Sequence, residues 1–123
     1  MGYRSEVALV TTQNGYSRLM AAVACNPEAT RLVVEGIESE NYVAVCRANK
    51  RRQGNVLFYW DWIKWYADSD QIRLIEDWMN VEESDKDYDD VEFQFVRIGE
   101  SDDDAEQRGN AVYGLGLHRS ISK

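Results

Sequence analysis

Asn55–Ala67 reads N-V-L-F-Y-W-D-W-I-K-W-Y-A. It holds three of the four tryptophans, two of the seven tyrosines and one of the three phenylalanines, so whatever it packs against is the core of the chain. At a period of two, Val56, Phe58, Trp60, Trp62 and Tyr66 share one face. Leu57, Tyr59, Ile63, Trp65 and Ala67 share the other, interrupted by Asp61. A strand apolar on both faces belongs inside a sheet covered on both sides, or leaves one face for a partner. The face broken by Asp61 is the one expected to be open, with Tyr59 and Trp65 as a candidate aromatic contact surface.

Upstream, Tyr42–Ala48 alternates Tyr42, Ala44 and Cys46 against Val43, Val45 and Arg47, the pattern of a strand. The loop Asn49–Gly54 carries Lys50, Arg51 and Arg52, which predicts a β-hairpin with a basic tip leading into the aromatic strand. Downstream, Asp68-Ser69-Asp70 supplies a cap, and Gln71–Asn80 places Ile72, Ile75 and Met79 on one side of a helix. Val81–Asp90 reads as an acidic, solvated loop. Val91–Ile98 alternates as a strand up to Gly99, and Glu100–Asn110 reads as a second acidic loop.

Closer to the N-terminus, Val7-Ala-Leu-Val10 marks a short buried strand within Tyr3–Thr12. Leu19, Met20, Val23 and Ala24 form the stripe of a helix over Tyr16–Cys25, with Gln13 or Asn14 near its start. Asn26-Pro27 ends it and opens a second helix, Asn26 capping and Pro27 in the first turn. Ala111–Ile121 reads as a last strand, bulged at Gly114 and Gly116. Residues 1–123 are therefore expected to form a single globular domain of the α+β class. Its sheet is mixed and mostly antiparallel with helices on one face, in the ferredoxin-like order β-α-(α)-β-β-α-β-β.

Charge is distributed unevenly. The net charge is −8, yet Glu82–Glu106 alone holds Glu82, Glu83, Asp85, Asp87, Asp89, Asp90, Glu92, Glu100, Asp102, Asp103, Asp104 and Glu106 against only Lys86 and Arg97. Such a field repels nucleic acid phosphates from most of the surface and favours a protein partner with a basic surface. Asp85, Asp87, Asp89, Asp90, Glu100, Asp102, Asp103 and Asp104 are the candidate contact residues of the two acidic loops. Rows of carboxylates can also imitate duplex phosphates and occupy a nucleic-acid-binding cleft.

Chemistry is sparsely marked. Asp85-Lys-Asp-Tyr-Asp-Asp has acids at positions 1, 3 and 5 of a calcium loop, but Asp90 replaces the glycine and Val96 the final glutamate. One histidine, His118, and two separated cysteines argue against a zinc site, a disulfide framework or a Cys/His nucleophile. Cys25 and Cys46 read as small buried hydrophobes in a reducing cytosol. No phosphate-binding or dinucleotide motif is present. No catalytic residue, metal or cofactor is assigned, and no secretory or membrane-spanning segment is read. An enzyme or nucleotide-binding module around His118, and a self-assembling component pairing through the aromatic strand, stand as alternatives.

Four stretches together resemble a family of small phage and prophage proteins. These are Gly2-Tyr-Arg-Ser-Glu-Val7, Ile63-Lys-Trp-Tyr66, Phe95-Val-Arg-Ile-Gly-Glu100 followed by acids, and Arg119-Ser-Ile121. The resemblance implies a phage-encoded protein acting in the cytoplasm of a bacterial host, with no catalytic or binding residue to carry over. Residues 13–55 match it least. By analogy, small acidic phage proteins without catalytic motifs inhibit host machinery, including nucleic-acid-handling defence complexes such as CRISPR effectors.

Overall fold

The structure, a computed structural model, describes residues 4–37, 55–66, 68–87, 90–100, 104–110, 115–117 and 121–122. The expected strand Tyr42–Ala48, its tip Lys50, Arg51 and Arg52, and residues Cys46, Asp89, Asp102, Asp103 and His118 lie outside them.

Strand β1, Ser5–Thr11, is the centre of the sheet because its run of small and branched apolar residues suits burial on both faces. Val7 and Leu9 face one cluster, Ala8 and Val10 the other, and all four are fully buried. Strand β2, Val56–Ile63, pairs antiparallel with one edge of β1, and β3, Phe93–Gly99, with the other. Strand β4, Ala105–Gly109, extends the sheet beyond β3, giving the order β2-β1-β3-β4.

The helices among the described residues are α1, Gln13–Val23, α2, Pro27–Gly36, and α3, Asp70–Asp85. Thr12 caps α1 by accepting the Gly15 N–H at 3.0 Å. Asn26 caps α2, its Oδ1 accepting from the amides of Glu28 at 3.0 Å and Ala29 at 3.1 Å, with Pro27 in the first turn as expected. All three helices bury their apolar stripes against one face, where Leu19, Val33, Ile75 and Met79 meet Val7, Leu9, Phe58 and Phe95.

The protein is α+β, with an antiparallel sheet and helices on one face. In β2–α3–β3, strands β2 and β3 run parallel with β1 inserted between them, which is a split β-α-β unit. The strand that would complete the first such unit lies outside the described residues.

Three elements differ from their sequence reading. Helix α3 runs on from Asn80 to Asp85, through the first half of the expected acidic loop. Tertiary partners account for this, because Glu82 and Glu83 meet Arg18 and Arg108. Strand β4 replaces part of the second acidic loop; its Glu106 sits opposite Arg97 of β3 and pairs with it at 3.3 Å. Of the expected last strand, the described residues form two short strands, β5 (Gly116–Leu117) and β6 (Ile121–Ser122), paired antiparallel.

Candidate functional site

The aromatic stretch is where alternation fails. Val7 is opposite Trp60, but Ser5 is opposite Ile63, so a two-residue step on β1 matches a three-residue step on β2. One extra residue makes a β-bulge, and a slip of one residue moves every following side chain to the other face. Up to Trp60 the period-two reading holds: Phe58 and Trp60 join the helix-side core, while Leu57 and Tyr59 join the opposite cluster. Beyond the bulge, Ile63 and Trp65 also lie on the helix side.

Trp65 is therefore not part of an open aromatic face. It is 8% exposed, with its ring 5.4 Å from Trp60 and 5.6 Å from Phe95. Its indole N–H donates to Glu76 Oε1 at 3.3 Å. Tyr59 keeps its expected face but is half-buried beside Ala8, Val10, Leu57 and Val96, and its hydroxyl donates to Glu6 Oε2. Leu115 is buried on this same face, and its backbone exchanges two hydrogen bonds with the Gln94 side-chain amide, at 2.9 and 3.2 Å. The expected open face is thus covered at its centre.

The acidic residues divide into two kinds. Asp104, expected as a partner contact, is clasped by Arg97, whose Nη2 and Nη1 donate to Oδ1 at 2.9 Å and Oδ2 at 3.2 Å. Burial pulls the Arg97 guanidinium down, but the bonds to Asp104 and Glu106 outweigh it and leave its pKa raised. Glu100 is exposed and accepts the Arg4 backbone N–H at 2.9 Å. Asp85, Asp87 and Asp90 are exposed and make no ion pair among the described residues. Asp85 ends α3, and Asp87 and Asp90 follow in the connection to β3, where the Asp90 N–H donates to the Asp87 carbonyl at 2.9 Å.

Beside them lies a network of two cations and two carboxylates. Arg18 and Lys86 both contact Glu82 and Glu92, at 2.7–3.8 Å. Thr12, while capping α1, donates its hydroxyl to Glu92 Oε2 at 2.6 Å. That bond, with the nearby Lys86 and Arg18, holds the Glu92 carboxyl down to about 2. Arg18 is raised in turn, chiefly by its bonds to Glu82. On the far side of α3, Arg108 joins β4 to Glu76, Glu83 and Asn80. Burial raises Glu76 despite the donors Trp65 and Arg108.

These carboxylates serve as internal anchors, and sequence alone does not separate them from Asp85, Asp87 and Asp90. Among the described residues, no group of three or more His, Cys, Asp or Glu is placed to hold a metal ion. Cys25, read as buried, is exposed at the end of the α1–α2 turn. No helix among the described residues is long and apolar enough to cross a membrane.

Sequence reading also missed a groove between α1 and α3, lined by Ala21, Ala22, Leu74, Asp77, Trp78 and Val81 together with the Arg18–Glu82 ion pair. Its signal was present: Val81 sits one turn from both Asp77 and Asp85, an apolar residue stranded on a polar stripe. No protein-family model, curated protein or solved structure matches the chain.

Proposed function

We propose that this chain is a phage-encoded, non-enzymatic interaction protein that inhibits or modulates a host protein by binding a basic surface on it. The observation that carries the reading is the contrast among its acids. Asp104, Glu82, Glu83, Glu92 and Glu106 are each bound by an internal cation, whereas Asp85, Asp87 and Asp90 are exposed without one among the described residues. Carboxylates with no internal partner act on what approaches from solution, and a net charge of −8 steers a basic partner towards them. Nucleic-acid-handling proteins are one class whose function requires a basic surface, which accords with the phage context implied by the resemblance.

The test is capture of host proteins by the tagged chain at low and high salt, followed by affinity measurement on the purified partner. Reversing Asp87 and Asp90 to Lys is expected to weaken binding and flatten its salt dependence while leaving thermal unfolding unchanged. Asp104→Asn serves as the control, expected to alter stability with little change in the salt slope. Equal affinity and an equal salt slope for the reversed variant would remove the acidic contact.

A further inference from the structure

Val81 is 54% exposed, one of three exposed large apolar side chains among the described residues. It does not stand alone. It borders a groove of about 460 Å³ between α1 and α3, whose other apolar walls are Ala21, Ala22, Leu74 and Trp78. Leu74 is half-buried and Trp78 is 5% exposed. The indole Nε1 of Trp78 has no hydrogen-bond partner among the described residues.

Charge around the groove is arranged in register with it. Asp77, Val81 and Asp85 are spaced i, i+4 and i+8, so they lie along one stripe of α3. At 1.5 Å per residue, the two carboxylates stand about 12 Å apart along the helix axis with the valine between them. Both are exposed and neither has a cation among the described residues. Arg18, also on the groove wall, is already held by Glu82 and Glu92, so it does not offset them.

We propose that this groove is a docking site for a basic amphipathic helix of a partner protein. A Leu, Ile or Phe side chain enters between α1 and α3 against Val81, Leu74 and Trp78. Lys or Arg residues one turn to either side of it reach Asp77 and Asp85. The apolar contact supplies the anchor, and the flanking pairs set register and orientation. An acidic helix is repelled by the same stripe, and an uncharged one loses the pairs that fix it. The inference deepens the reading of the chain as an interaction protein and rests on it, extending the contact from the connection beyond the end of α3 onto the side of that helix.

The probe is a synthetic helical peptide of roughly 18 residues, long enough to hold helix, with Leu flanked by Lys four residues before and after. It is titrated into the ¹⁵N-labelled full chain. The expected result is a shift of the Trp78 indole N–H and of the Ala21, Ala22, Leu74 and Val81 amides. Val81→Arg, at an exposed position that preserves the fold, is expected to weaken binding by about tenfold or more, as loss of an interface anchor does. Asp77→Lys and a peptide with Glu in place of Lys are expected to weaken it comparably. Perturbations confined to other surfaces, equal affinity for Val81→Arg, or equal binding of an uncharged peptide would each overturn the proposal. If binding to a purified host partner is lost on reversing Asp87 and Asp90 but kept in Val81→Arg, the groove is excluded while the interaction reading stands.

Discussion

Arg18 clasps Glu82 with two hydrogen bonds, Nε to Oε2 at 2.7 Å and Nη2 to Oε1 at 2.9 Å, and so ties α1 to the last turns of α3. Glu82 is 4% exposed, and Lys86, its other cation, stands 3.8 Å away. Removing the guanidinium leaves a buried carboxylate with one distant partner. Arg18→Ala is expected to cost on the order of 2–3 kcal/mol, somewhat less than the 3–5 of a buried charge stripped of every partner. Replacing both residues with apolar ones, Arg18→Met with Glu82→Leu, is expected to recover most of that loss. Denaturant midpoints of the two variants measure the difference. A double variant less stable than Arg18→Ala would show that the charges themselves hold the helices together.

Thr12 controls the titration of the same network. Glu92 titrates at about 2 in the folded protein, below its ordinary value of 4.5, and the Thr12 hydroxyl is the leading cause. A lowered carboxyl contributes stability that is full above its unfolded value and is lost as pH falls through the folded one. The window for Glu92 thus lies between pH 4.5 and about 2. Thr12→Val removes the donor, so Glu92 is expected to titrate closer to 4.5 and acid unfolding to begin at higher pH. It also removes the cap of α1, which lowers stability at every pH by about 1 kcal/mol. Thr12→Ser keeps both functions and is expected to behave as the parent. Carboxyl ¹³C shifts of Glu92 followed against pH separate the two effects.

Gly36 marks where α2 meets the aromatic core. A Cβ built there would lie 2.5 Å from Trp60 Cζ2 and 2.6 Å from its Nε1. The indole cannot swing away freely, because Nε1 donates to the Leu32 carbonyl at 2.9 Å and the ring stacks beside Phe58. Ala for Gly favours a helix by up to about 1 kcal/mol, but overpacking a tight core costs typically 1–3. Overpacking is expected to win, so Gly36→Ala lowers the thermal midpoint. A rise would mean that Trp60 repacks at little cost.

Local patterns foretold much of this fold. The Asn26-Pro27 cap, the buried β1 run and the stripe Ile72, Ile75, Met79 depend on near neighbours, and each element forms where its residues indicate. What stayed hidden depends on contacts distant in sequence. Helix α3 extends past Asn80 where Arg18 and Arg108 neutralise Glu82 and Glu83, residues that read as solvated loop. Strand β4 forms where Glu106 and Asp104 meet Arg97, within a run whose composition suggests only turn. For the same reason, counting carboxylates could not sort anchors such as Asp104 from exposed acids such as Asp87. The bulge opposite β1 is a further long-range effect: the polar break at Asp61 lies within it, but only the pairing with β1 shows that break to be an extra residue.

The bulge leads to the sharpest contrast between the two residues that alternation assigned to a single face. Trp65 fills the space between Trp60 and Phe95 and bonds to Glu76, whereas Tyr59 lies half-buried on the opposite cluster with its hydroxyl on Glu6. Trp65→Ala leaves a core cavity and is expected to cost about 3–5 kcal/mol. It also takes from Glu76 one of its two donors, leaving Arg108 at 2.6 Å. Tyr59→Phe keeps the ring in place and loses a hydrogen bond to a charged acceptor, about 1.5–3 kcal/mol at most. Equilibrium denaturation of both variants is the measurement. If Trp65→Ala were as stable as the parent, Trp65 would be a surface residue after all, and both the bulge and the covered face would have to be abandoned.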